Sequence, residues 1–185
     1  MIDDPHGFPL SRPFRTADAA PDGTMARLTT TEEERAAIAR FLRIPAVKSL
    51  SAELIVRPWR GKGFAVSGTI TASVDQACVV TLAPVPEEIA EEVDMRFLPP
   101  DAMPGPAFDL EVEIDPEAED LPDPLTGDTI DLGAIVVEHL ALGLDPYPRA
   151  DGAVFDVAED EPETVEDRPS PFAVLGKLRD PESRG

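Results

Sequence analysis

Leu50-Ser51-Ala52-Glu53-Leu54-Ile55-Val56 and Phe64-Ala65-Val66-Ser67-Gly68-Thr69-Ile70-Thr71-Ala72-Ser73-Val74 are the stretches that decide the fold. In the first, Leu50, Ala52, Leu54 and Val56 alternate with Ser51, Glu53 and Ile55. In the second, Phe64, Val66, Gly68, Ile70, Ala72 and Val74 alternate with small or polar residues. A period of two puts one set of side chains on each face of a strand, so both runs read as half-buried β-structure. Pro58-Trp59-Arg60-Gly61-Lys62-Gly63 joins them and is rich in turn formers, which predicts a long antiparallel hairpin.

Downstream, Ala77 to Leu82 reads as a shorter strand bounded by Pro84 and Pro86, with Cys78 in its middle. Glu88 to Phe97 reads as another, with Ile89, Glu91, Val93 and Met95 on one face. Upstream, Thr29-Thr30-Thr31-Glu32-Glu33-Glu34 contains three overlapping Thr-x-x-Glu capping boxes and opens a helix to about Arg43. Ile38, Phe41 and Leu42 form its expected buried stripe, and Pro45 stops it. Phe8 to Arg15 reads as a strand, followed by a loose linker to residue 28. Residues 98–129 are proline-rich and acidic, with a short strand expected at Phe108 to Ile114. Asp131 can cap a second helix running to about Leu144, with Leu132, Ile135, Val136, Leu140 and Gly143 on its buried face.

The expected fold is α+β: an antiparallel sheet of about five or six strands, able to curl toward a barrel, with two main helices and a short C-terminal helix. The core domain spans 1–149, with 1–28 partly loose. Residues 150–168 form an acidic linker with few large apolar side chains, expected to be disordered. The short helix, within 169–180, has Phe172, Leu175 and Leu178 to pack on the core.

Composition narrows the function. Formal net charge is −21 over 185 residues and is unevenly spread. Residues 1–65 hold 10 Lys and Arg against 8 Asp and Glu, whereas 66–185 hold 6 against 29. Such acidity repels phosphate backbones at long range and suits basic protein partners, although solubility alone also explains it. The single cysteine excludes an internal disulfide and a Cys-based zinc site. No apolar run approaches the roughly 18 residues of a membrane span. The N-terminus lacks a secretory pattern, so the cytoplasm is the default location.

No catalytic constellation stands out. His6 lies near the N-terminus, and His139 falls beside the apolar face of the second helix, where a hydrogen-bonded structural role is favoured over that of a base. Cys78, with no basic neighbour in sequence, reads as a buried small hydrophobe. Asp120, Asp123, Asp128 and Asp131 miss the calcium-loop spacing. No cofactor or metal is expected, and neither is an enzymatic activity. Arg57, Trp59, Arg60 and Lys62 form a candidate basic contact patch that can touch RNA by charge and stacking; the alternative is a hairpin tip whose Trp59 packs on its neighbours. Arg12, Arg15, Arg40, Arg43 and Lys48 extend it if the N-terminal elements fold nearby. Asp109, Glu111, Glu113, Asp115, Glu117, Glu119 and Asp120 form a candidate acidic surface for a partner.

Three segments resemble the YceD-like family of large ribosomal RNA subunit accumulation proteins. They are Gln76-Ala77-Cys78-Val79-Val80-Thr81-Leu82-Ala83-Pro84-Val85, the run from Ile130-Asp131-Leu132-Gly133 through Val137-Glu138-His139-Leu140-Ala141-Leu142 to Asp145-Pro146-Tyr147-Pro148, and Pro171-Phe172-Ala173-Val174-Leu175-Gly176-Lys177-Leu178. The resemblance runs over about residues 8–180, and its Cys78 strand and terminal helix look like the alphaproteobacterial version. Other members carry a Cys-x-x-Cys pair where this chain has Cys78 and Thr81, so a metal-stabilised form is not expected here. The resemblance implies a cytoplasmic, non-enzymatic ribosome-biogenesis factor whose partner is a basic ribosomal protein or a large-subunit assembly intermediate, with direct RNA contact left open. The competing reading is an acidic adaptor or chaperone for an unrelated basic protein.

Overall fold

The computed structural model describes residues 7–103 and 121–154. The chain divides into two units, Met1–Ala153 and Val154–Gly185. Every described element belongs to the first. Its strands are β1 (Pro13–Arg15), β2 (Thr24–Thr29), β3 (Ala46–Trp59), β4 (Gly63–Ala77), β5 (Pro84–Leu98), β6 (Asp123–Pro124) and β7 (Thr129–Asp131). Helix α1 covers Glu32–Leu42 and α2 covers Leu132–Leu142.

The predicted hairpin dominates. β3 and β4 pair antiparallel from Ala46↔Asp75 to Trp59↔Gly63, and β4 pairs with β5 from Phe64↔Phe97 to Ala77↔Pro84. The sheet order is β2-β3-β4-β5-β6, with β1 and β7 forming a separate ribbon. Leu50, Ala52, Leu54 and Val56 of β3 and Val66, Ile70, Ala72 and Val74 of β4 are buried, as the alternation requires. They pack in one core with Ile38 of α1 and Val136, Val137 and Leu140 of α2. Fully burying each Val, Leu or Ile among them stabilises by roughly 1.5–3 kcal/mol, and each Ala by less. The opposite face, with Ser51, Glu53, Ile55, Thr69 and Thr71, is exposed.

Gly68 interrupts the apolar series for a steric reason. It pairs with Leu54, and a Cβ there would lie 2.0 Å from the Glu53 carbonyl oxygen. Only a residue without a side chain lets the two backbones approach so closely.

Both helix starts follow the sequence. Thr31 and Glu34 form the third of the overlapping boxes: the Thr31 hydroxyl accepts from the Glu34 N–H, and the Glu34 carboxylate accepts from the Thr31 N–H. Asp131 caps α2 by accepting from the Gly133 and Ala134 N–H groups. The same carboxylate accepts from the Arg12 N–H at 2.7 Å and the Ser11 hydroxyl at 2.6 Å, tying the N-terminal segment to the helix.

Several expectations are corrected. The sheet is not a closed barrel: β2 and β6 are its two ends, and β5 with β6 is a parallel pair, so the sheet is mixed. Residues 24–29 are not linker but an edge strand, β2. Its short polar alternation, after Asp22-Gly23, gave little hydrophobic signal. The Phe8 to Arg15 strand shrinks to β1, because Ser11 and Arg12 are committed to Asp131. Phe41 leaves the α1 stripe; it is 48% exposed and meets Phe8 with ring centroids 5.6 Å apart. Ala77 to Leu82 is not a strand. The β4–β5 pairing runs to Ala77↔Pro84, so residues 78–83 must reverse the chain, and β5 starts at Pro84 rather than Glu88. The expected strand at 108–114, the linker beyond 154 and the C-terminal helix lie outside the described residues.

Candidate functional site

At the hairpin tip, Arg60-Gly61-Lys62 closes β3 onto β4 with left-handed backbone at Arg60 and Gly61. Trp59 lies on the exposed face of the sheet, since 51, 53, 55, 57 and 59 alternate with the buried set. The Arg60 guanidinium sits 4.5 Å from the Trp59 ring centroid, and that of Arg96, on β5, lies 5.9 Å away. Register explains the second contact: Arg57, Ala65 and Arg96 form one row across β3, β4 and β5. Arg57 is exposed and has no ion-pair partner among the described residues. Arg96 also reaches Asp94 at 3.3 Å. The result is two arginines at one indole, with Arg57 two residues before it on the same exposed face.

Arg57, Trp59 and Arg60 come together here as one stretch of sequence predicts, and Arg96 joins them without a sequence signal of its own. Its place follows from the β4–β5 register counted back from the turn at residues 78–83, which the expected strand at Ala77 to Leu82 hides. Lys62 belongs to the loop, yet it is paired with Asp101 at 2.9 Å, and that hydrogen bond holds the Asp101 carboxyl below its usual value.

The proposed extension does not form. α1 leads into β3 at Ala46, at the opposite end of the strand from Trp59. At about 3.4 Å per residue, the 14-residue strand separates Arg40, Arg43 and Lys48 from the tip by roughly 40 Å. Lys48 pairs with Asp75 at 2.6 Å and Arg12 with Glu34 at 2.6 Å, while Arg15 lies on the β1–β7 ribbon. The acidic candidates Asp109, Glu111, Glu113, Asp115, Glu117, Glu119 and Asp120 lie outside the described residues. Within them, Glu88, Glu92 and Asp94 form an acidic column on the exposed face of β5 that ends at Arg96.

A second feature sits at the far end of β4. The Gln76 side chain, buried, donates to the Asp145 carbonyl at 2.9 Å and accepts from the Asp145 N–H at 3.2 Å. The Val79 N–H donates to the Pro148 carbonyl at 2.9 Å. Cys78 is fully buried, and its Sγ accepts from the N–H groups of Ala150, Val80 and Thr81 at 3.3–3.4 Å. The Ala150 N–H, with the Thr81 hydroxyl and N–H, brings the thiol down to about 6. Charged neighbours, absent in the sequence, are therefore not needed; backbone dipoles do this. Among the described residues, no three of His, Cys, Asp and Glu group to hold a metal. His139 Nδ1 lies 3.0 Å from the Ile135 carbonyl, which can only accept, so this ring nitrogen serves the helix.

A cleft of about 290 Å³ opens beside the start of α2. Phe97, Leu125, Ile130 and Ile135 line it together with Asp123 and Glu138, and no Lys or Arg contributes.

Two of the segments that carry the family resemblance therefore clasp one another: the Cys78 turn holds the loop that follows α2. The family model for YceD, described as large ribosomal RNA subunit accumulation protein, matches residues 66–179. The chain belongs to the YceD family. The match begins within β4 rather than near residue 8, so it takes in Arg96, the clasp and α2 but not Trp59. The YceD description points to a role in accumulation of the large-subunit ribosomal RNA. No curated protein and no solved structure matches the chain. No helix among the described residues is long and apolar enough to cross a membrane.

Proposed function

We propose that this protein is a cytoplasmic, non-enzymatic ribosome-biogenesis factor that supports large-subunit (23S) rRNA accumulation by binding a basic ribosomal protein or an assembly intermediate containing one. Membership of the YceD family is the observation that carries this reading. The net charge of −21 supports the chemistry of the partner, because an acidic surface steers and shields a polycation. The cleft supports it locally: acids at Asp123 and Glu138 over an apolar floor suit a Lys or Arg side chain, whose apolar stem needs covering as much as its charge needs pairing. The commitments of Cys78 and His139 to backbone groups support a binding rather than a catalytic role.

Depletion in the source organism tests the reading. The ratio of large- to small-subunit rRNA should fall and recover with the wild-type gene. A normal ratio, with an unrelated basic protein bound, would move the assignment to an acidic adaptor.

A further inference from the structure

We propose that the exposed sheet face at the hairpin tip, built from Arg57, Trp59 and Arg96 with Arg60 beside them, docks single-stranded RNA. The proposal rests on the reading above for the relevance of RNA, and on the structure for the place. The register sets Arg57 and Arg96 on either side of Ala65, which is buried beneath them despite facing solvent. Two guanidinium groups straddling a small residue form a shallow saddle, with Trp59 at its end. Ser67 continues the same face by one row, beside Asp94, and the saddle ends there because Glu53 and Glu92 flank Thr69 in the next row.

Each component answers a feature of a single strand. Guanidinium groups pair with phosphate oxygens and also stack on bases, and an indole face stacks on any base. Arg60 already lies over Trp59, so a base reaches the indole by stacking on that pair or by exchanging with the guanidinium. The overall charge does not forbid this. At 0.15 M salt the Debye length is about 8 Å, so acids farther than two or three such lengths along the hairpin are screened at the tip, whereas Asp94 and Glu92 on β5 lie nearer and bound the saddle on that side. Lys62 pairs with Asp101 and Arg96 with Asp94, and because such exposed pairs are weak a phosphate can take the place of either carboxylate.

Trp59 is the only tryptophan in the chain, so its fluorescence reports this site alone. The experiment titrates the full chain with a mixed-sequence single-stranded RNA of about 12 nucleotides, within the roughly 4–16 covered by comparable sheets. Saturable quenching is expected below about 100 µM, the weak end of non-specific nucleic-acid affinity. With two phosphates neutralised, at Arg57 and Arg96, log K should fall against log salt with a slope of about −1.4, or roughly five-fold between 50 and 150 mM. Arg57→Gln and Arg96→Gln should each weaken binding several-fold and reduce that slope by about 0.7. Unchanged Trp59 emission at 100 µM RNA, or quenching indifferent to both substitutions, would overturn the proposal. An equal response to a polyglutamate peptide would also overturn it and assign the saddle to an acidic protein. If RNA has no effect while the wild-type chain still retains a large-subunit ribosomal protein, only this proposal fails. If both are lost, the functional reading fails as well.

Discussion

Arg57 on β3 and Arg96 on β5 occupy one cross-strand row, each paired with Ala65 of the strand between them. Two like charges so placed repel, and the arrangement is held by the Trp59 ring and by Asp94 next to Arg96. The row turns a basic loop into a shaped surface, because β5 brings its arginine to a tryptophan from a different strand.

Replacing Arg96 by Ala uncovers one side of Trp59. Its emission should shift to the red, and stability should fall by about 0.5–1 kcal/mol, the range for an exposed cation–π contact. Emission and the urea midpoint measure both; an unshifted spectrum would show that Arg96 does not cover the ring in solution.

Gly68→Ala places a methyl group against the Glu53 carbonyl oxygen. Because β3 and β4 form the centre of the sheet, the strands must part, and the loss should be at least about 2 kcal/mol. Ala90→Gly, at an exposed position of β5, provides a comparison of about 0.5–1 kcal/mol from glycine's backbone entropy alone. Equal losses at the two positions would contradict the close approach at Gly68.

The Cys78 clasp predicts a pH dependence. The folded thiol is lowered from 9.0 to about 6, so the folded state holds the thiolate where the unfolded chain binds a proton. Its contribution is complete above pH 9 and is lost as pH falls through 6. The stability difference between wild type and Cys78→Ala should therefore widen as pH rises from 6 to 9. Urea midpoints at pH 6, 7.5 and 9 test it, and a flat difference would mean that the sulfur stays protonated.

Asp131 caps α2 and holds Ser11 and Arg12 at once. Asp131→Ala should cost about 2–3 kcal/mol, more than the roughly 1 kcal/mol of a typical cap, because the Arg12 N–H also loses its partner. Thr31→Ala at α1 should show only the single-cap cost. Calorimetry of the two variants side by side would expose the difference, and a match between them would remove the linking role given to Asp131.

What the sequence disclosed follows from the range of the forces involved. Period-two alternation from Leu50 to Val74 marked β3 and β4, and Thr31, Glu34 and Asp131 marked the helix starts, because these signals are local. β2 escaped because it is short and polar and owes its place to pairing with β3. Cys78-Val79-Val80 misled because β-branched residues favour strands, yet here the chain reverses and leaves Val79 48% exposed. At the candidate site Arg57, Trp59 and Arg60 could be read from one stretch. Arg96 and the contact of Gln76 with Asp145 depend on which strands and loops meet, and spacing alone does not record that.

The proposed function stands on this acidic chain binding a basic component of the large subunit. Affinity capture of the tagged full-length protein at low and at about physiological salt, with bound proteins and RNA both identified, tests it most directly. Large-subunit ribosomal proteins or precursor rRNA should be recovered, with recovery weakening as salt rises, and weaker still when acids within 109–131 other than the capping Asp131, and within 159–167, are replaced by Ser or Asn. Recovery of neither class at either salt, or capture unchanged by those replacements, would contradict it.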